Sequence, residues 1–267
     1  MDERSAGEKS VLPVSGPPHV ASFPILPAGV VSYEERLNRD SRWALSEGSR
    51  HFEKDNSVFH ALRKITQRLN SLEIPYAVVG GMALFQHGFR RFTEDVDILV
   101  TRPDLKKIHA NLDGLGYLPA FAKSKNLRDT QLGVKIEFLI TGDYPGDGKP
   151  KPVSFPDPRA ASINIDGINY IKLQQLVELK LASGMSNASR LKDLADILEL
   201  IKVLELPLDF ANTLNPYVAE KFQELWKAAN QNPTPHESEL WDKDEQPDHE
   251  SLPDKPDIDS QGHSSNG

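Results

Sequence analysis

The sequence has no cysteine. That excludes disulfides, thiolate metal sites and a cysteine nucleophile, and it fits a reducing, cytoplasmic compartment. Long apolar runs are missing too. None approaches the ~18 residues that a membrane-crossing helix needs, so no membrane partner is expected. The opening MDERSAGEKS lacks the apolar stretch of a secretory signal. There is also no excess of positive charge: the net charge is −8. Residues 231–267 hold ten Asp/Glu and two Lys, which accounts for all of it. The other 230 residues carry 29 basic and 29 acidic side chains, so the body is neutral and open to an anionic substrate. Hydrophobic residues make up 38% of the chain, enough for one core in a polar protein.

What is present centres on Tyr76–Val100, YAVVGGMALFQHGFRRFTEDVDILV. Tyr76–Val79 reads as a buried strand and Met82–His87 as a short helix after Gly80-Gly81. Asp95–Val100 reads as a second strand. Side chains two apart share a strand face, so Asp95 and Asp97 point one way and Val96 and Ile98 the other. Adjacent carboxylates repel and resist desolvation. A divalent cation with a taste for hard oxygen, Mg²⁺ or Mn²⁺, resolves that conflict.

Around this stretch the patterns alternate. Residues 1–50 carry five prolines and are expected to be a mostly disordered extension, with a short helix at Tyr33–Leu45 docked by Trp43. Val58, Leu62, Ile65, Leu69 and Leu72 mark a helix over 56–73, capped by Asn56 or Ser57. A third helix follows Thr101 and Pro103, with Leu105, Ile108 and Leu112 on its apolar face. Tyr117–Phe121 is a short strand, and 122–132 a polar loop with an edge strand. Val134–Ile140 is a strand with Val134, Ile136, Phe138 and Ile140 inward and Lys135, Glu137 and Leu139 on the other face.

Gly142–Pro158 contains five prolines and three glycines and reads as a long loop. Ile163–Ile171 is a hairpin turning at Asp166-Gly167. Helices are expected at 172–184, 188–203 and 216–230, the first two as a helical hairpin. The fold class is therefore α/β (α+β): a mixed sheet flanked by helices over 51–171, then a small helical bundle over 172–230. Residues 231–267 are expected to be a disordered acidic tail.

Asp95, Asp97 and Glu137 are the candidate acids. A strand pair plus a third acid on a neighbouring strand can hold two metal ions roughly 3.5–4 Å apart, the clamp used in phosphoryl transfer. Gly80-Gly81 ahead of a helix can offer backbone N–H groups to phosphate. Arg91, Lys135 and Lys180 can neutralise its charge. Each piece has an ordinary alternative: a solvated strand edge, a turn, a surface ion pair. His87 reads as a capping or packing residue, and Trp43 and Trp226 as core anchors.

Taken together, Val79-Gly80-Gly81, thirteen residues, Asp95-Val96-Asp97, then Ile136-Glu137-Phe138 resembles the DNA-polymerase-β-like nucleotidyltransferase superfamily. Two strings look like the AbiEii/AbiGii-type toxin nucleotidyltransferases. One is Gly81-Met82-Ala83 with Arg91-Phe92-Thr93-Glu94-Asp95-Val96-Asp97. The other is Glu178-Leu179-Lys180-Leu181-Ala182 with Arg190-Leu191-Lys192-Asp193-Leu194-Ala195-Asp196. The resemblance covers about residues 55–205.

It implies a mixed sheet, with Gly80 and Gly81 holding an NTP and Asp95, Asp97 and Glu137 binding Mg²⁺ or Mn²⁺. Glu137 would also help deprotonate an acceptor hydroxyl. Arg91 belongs to the nucleotide-binding set, and Lys180 and Asp193 sit beside the nucleotide. The acceptor implied is a tRNA end or a protein, in a toxin–antitoxin setting with a cognate antitoxin. The rival readings are a degenerate relative that binds nucleotide or a partner without turnover, and a scaffold that uses its acidic tail.

Overall fold

The structure is a computed structural model and describes residues 31–231. Of the expected disordered extension (1–50) and acidic tail (231–267), residues 1–30 and 232–267 lie outside the described residues. The chain enters through two helices, α1 (Tyr33–Arg39) and α2 (Ser41–Phe52). Asp40 ends the first, and its carboxylate caps the second by accepting from the Trp43 amide. Helix thus runs through 33–52, further than the Tyr33–Leu45 expected. Trp43 meets Tyr33 edge-on at 5.3 Å between ring centroids.

Helix α3 (Ser57–Ser71) follows, capped by Asn56, with Val58, Leu62, Ile65 and Leu69 buried. The next elements are β1 (Ala77–Val78), α4 (Gly80–Gln86), β2 (Asp95–Val100) and α5 (Arg102–Leu112). Strands β3 (Tyr117–Pro119), β4 (Leu127–Asp129) and β5 (Lys135–Ile140) come after, then a short helix α6 (Pro158–Ala161). The hairpin of β6 (Ser162–Ile165) and β7 (Ile168–Ile171) turns at Asp166-Gly167 as expected. Helices α7 (Leu173–Ser186), α8 (Leu191–Leu204) and α9 (Pro216–Gln231) complete the described chain.

The strands form one seven-stranded sheet among the described residues, in the order β3-β4-β5-β2-β1-β7-β6. It is mixed. β2 runs parallel to β5 and antiparallel to β1, while β1 runs parallel to β7. The mixed sheet flanked by helices, with helices after it, is the architecture expected.

Two local differences stand out. β1 is shorter than Tyr76–Val79. The 122–132 segment contributes an inner strand, not an edge: β4 lies between β3 and β5, with Leu127, Arg128 and Asp129 all buried. Its charges are matched there. Arg128 pairs with Glu34 at 2.8 Å, and Lys64 pairs with Asp129 at 2.8 Å.

Alternation on β2 and β5 explains why the centre holds. Val96, Ile98, Ile136 and Phe138 are fully buried on one face, and each such side chain stabilises the fold by roughly 1.5–3 kcal/mol. Between them, Asp95, Asp97, Lys135 and Glu137 stay half-buried on the other face. Leu176, Val177 and Ile197 from the helical segment join the same core as the sheet residues. Leu176, Lys180 and Asp193 line the same cavity as Asp95, Asp97 and Glu137, so α7 and α8 lie over the face that carries the charges.

Candidate active site

The parallel pairing of β2 with β5 sets the site. Its register places Asp97 beside Glu137 and Asp95 beside Lys135. The period of two then puts all four side chains on one face. Asp95, Asp97 and Glu137 each offer a carboxylate oxygen, and these oxygens lie within 4.8 Å of one another. Lys135 forms an ion pair with Glu137 along the same strand.

The Gly-Gly pair is fitted to these acids. Gly80 has φ +59°, and a β carbon there would stand 1.8 Å from Asp97 Oδ2. Only glycine combines that conformation with that approach. A β carbon on Gly81 would stand 2.6 Å from Thr93 Oγ1. The Thr93 hydroxyl donates to Asp95 Oδ1 at 3.2 Å. The start of α4 therefore rests on both aspartates, directly on Asp97 and through Thr93 on Asp95.

Charge at the acids is poorly balanced. Burial, then the neighbouring carboxylates of Asp95 and Glu137, push Asp97 up to about 7; Lys180 and Lys135 oppose the shift without cancelling it. Three converging carboxylates of this kind fit a hard divalent cation, whose charge would reverse the penalty.

Behind the acids lies a buried ion network that joins distant parts of the chain. Lys180 on α7 donates to Asp193 Oδ1 at 2.8 Å and to Asp196 Oδ2 at 2.7 Å, both on α8. Asp193 also accepts from the Ser183 hydroxyl at 2.7 Å and from Arg190 at 2.8 Å. Burial would raise Asp193, but Lys180, Ser183 and Arg190 outweigh it and hold the carboxyl below its usual range. Asp196 takes the guanidinium fork of Arg91, at 2.7 and 3.0 Å. Arg91 gives its remaining arm to the Phe92 carbonyl.

A cavity of about 430 Å³ opens over these groups. Gly80, Gly81, Asp95, Asp97, Glu137, Arg91, Lys180 and Asp193 all line it, so the structure brings every site residue expected from the sequence to one place. Lys180 reaches it with two bonds already made to aspartates, and Arg91 with its fork held by Asp196. Tyr144 and Phe155, from the long proline-rich loop, form another part of the wall. Gly146 seats that loop on α7: a β carbon there would stand 2.2 Å from Ser186 Oγ and 2.7 Å from the Ser183 carbonyl.

Sequence reasoning assigned no role to Asp196 or Thr93, although both stand in the two strings that carry the resemblance. His87 is outside the acid cluster. It ends α4, and its Nε2–H donates to the Ile171 carbonyl at 2.8 Å.

The fold is similar to several solved structures. An antigenic nucleotidyltransferase-like protein from Paracoccidioides brasiliensis is 15% identical, over 65% of this chain and 88% of that one, with a TM-score of 0.40. ANT(2″)-Ia in complex with adenylyl-2″-tobramycin is 12% identical, over 65% of this chain and 97% of that one, with a TM-score of 0.38. The Megavirus polyadenylate synthase is 15% identical, over 75% of this chain and 41% of that one, with a TM-score of 0.32. No protein-family model matches the sequence, and no curated protein matches it. Among the described residues, no helix is long and apolar enough to cross a membrane.

Proposed function

We propose that the protein is a metal-dependent nucleotidyltransferase. It moves a nucleoside monophosphate from an NTP to a hydroxyl. The observation that carries this reading is the convergence of Asp95, Asp97 and Glu137 against the backbone of Gly80, on the floor of one cavity.

In this reading Asp95, Asp97 and Glu137 hold Mg²⁺ or Mn²⁺. When bound, the cation supplies positive charge to the attacking and leaving oxygens. The acceptor oxygen bonds to the α-phosphorus as the bond to the β-phosphate bridging oxygen breaks, and pyrophosphate leaves. Glu137 takes the hydroxyl proton. Gly80 and Gly81 let the triphosphate approach the backbone without a side chain between. Lys180 adds positive charge at the cavity wall, while Asp193 and Asp196 fix its position. Arg91, tied to Asp196, braces the helices against the loop before β2. Catalysis is then mostly positioning and charge neutralisation.

The finer reading places a tRNA end or a protein as acceptor and a toxin–antitoxin pair as setting, with a cognate antitoxin as partner in the cytoplasm. It is supported by the two sequence strings around Gly81–Asp97 and Glu178–Asp196. One observation favours a second reading, nucleotide binding without turnover: Lys135 forms an ion pair with Glu137, the carboxylate that would have to receive the acceptor's proton.

Incubating the protein and total RNA with each α-labelled NTP and Mg²⁺ separates these. Label should appear in RNA or protein for wild type and vanish for Asp95→Asn and Asp97→Asn. Metal-dependent heat of NTP binding with no label transfer would select the second reading. No metal-dependent heat with any NTP would end both.

A further inference from the structure

Lys125 lines the cavity beside Glu137 and belongs to a basic loop with an exposed aromatic ring, which nothing above uses. Between β3 and β4 the chain reads Ala120-Phe121-Ala122-Lys123-Ser124-Lys125. The loop is held in shape. The Ser124 amide donates to the Phe121 carbonyl at 2.9 Å, closing a tight turn with Lys123 at φ +66°. His109 on α5 donates to the Lys125 carbonyl at 3.1 Å. Asn126 Oδ1 accepts from the amide of Phe138, the residue after Glu137, at 3.1 Å.

That frame leaves three side chains outside. Phe121 is 55% exposed. Lys123 and Lys125 are exposed, and Lys125 lines the cavity that holds Glu137. Among the described residues, neither lysine takes part in an ion pair. Lys192, also exposed and also without an ion pair among the described residues, lines the same cavity from α8.

We propose that this loop is a docking lip for a single-stranded nucleic-acid end. Phe121 stacks on a base, Lys123 and Lys125 face backbone phosphates, and the terminal hydroxyl is delivered to Glu137. This rests on the nucleotidyltransferase reading and names its acceptor. A phenyl ring offers a face that any base can use, and lysines spaced around it match the charge of a strand. A protein acceptor would give no reason to leave two unpaired lysines beside an exposed ring. A duplex keeps its interior bases stacked and paired, so it offers Phe121 far fewer free base faces than a single strand does.

Fluorescence anisotropy on the full chain tests this without chemistry. The probes are labelled 12-nucleotide RNA and DNA single strands of one sequence, and the corresponding RNA duplex. Single strands should bind, with the duplex weaker. Phe121→Ala should weaken single-strand binding about 5- to 100-fold, the effect of losing one stacked base. Lys123→Gln with Lys125→Gln should weaken it and lower its salt dependence by close to two charges. RNA preferred over DNA would make the terminal sugar part of recognition; equal binding would leave the strand alone as ligand, and both support the lip.

Wild type that binds no single strand, or variants that bind like wild type, overturns the proposal. So does Phe121-independent label transfer to protein in RNA-free mixtures. Calorimetry of Mg²⁺–NTP binding to wild type tests the underlying reading separately. Nucleotide binding with no strand binding sinks the lip alone, and strand binding with no nucleotide binding sinks the enzyme. Phe121 is exposed, so Phe121→Ala should melt within a degree or two of wild type, and loss of fold would show directly.

Discussion

Gly80 and Asp97 occupy the space of one side chain. A β carbon on Gly80 would overlap Asp97 Oδ2 at 1.8 Å. The conformation at Gly80 and the position of the central carboxylate are thus one constraint, and changing either residue changes both.

Gly80→Ala should therefore do two things. The left-handed φ and the clash should destabilise the fold by about 1–3 kcal/mol. Displaced Asp97 should also abolish metal binding. Thermal melts with EDTA and with excess Mg²⁺ measure both. A Mg²⁺-induced shift equal to that of wild type would show that Asp97 is not a metal ligand.

Asp97→Asn should stabilise the metal-free protein. The Asp97 carboxyl is pushed from 3.8 up to about 7. An acid with a raised folded pKa binds more protons when folded, so its penalty is absent below about pH 4, grows as pH rises, and is complete above about pH 7. At pH 8 in EDTA the variant should exceed wild type by more than ~1 kcal/mol, a gap that closes toward pH 4. Urea titrations across that range decide it. A variant equal to or weaker than wild type at pH 8 removes the clustered-charge account.

His51 should act in the opposite direction. It is fully buried against Phe59, Phe85 and Phe92, and its Nε2–H donates to the Arg91 carbonyl at 3.0 Å. Nδ1 has no partner. Burial holds the imidazole below its usual pKa. The unfolded chain takes up this proton first, so the contribution is intact above about pH 6.5 and is lost as pH falls below it. His51→Phe should flatten the acid side of the stability profile. Wild type combines this slope with the opposite slope from Asp97, so the two single variants are needed to separate them. An unchanged acid slope in His51→Phe would move the effect to His87, which burial also holds low.

Asp196→Ala should be among the most damaging changes outside the acid cluster. It leaves buried Lys180 and part-buried Arg91 without their shared carboxylate, and breaking one partner of a buried network costs about 3–5 kcal/mol. The urea midpoint should fall with the m-value unchanged. A double-mutant cycle of Asp196→Asn with Arg91→Gln should give a coupling of ~1 kcal/mol or more. A coupling near zero would show that the fork does not brace the helices.

The strand at Asp95–Val100, the helix at Ser57–Ser71, the Asp166-Gly167 hairpin and the shared face of Asp95 and Asp97 were determined by sequence alone. Each follows from a period of two or 3.6, or from turn chemistry within a few residues, and such signals are local. The tertiary structure decided the rest. Only the parallel pairing of β2 with β5 brings Glu137 beside Asp97, across 40 residues of chain. The burial of β4 follows from β3 taking the edge, which no pattern in 122–132 announces. Arg91 is in sequence a candidate for phosphate or for a nearby carboxylate, and its guanidinium is taken by a distant one, Asp196, 105 residues away. Strand pairing and buried ion pairs depend on which surfaces meet when the core closes, and that choice is made by the whole chain at once.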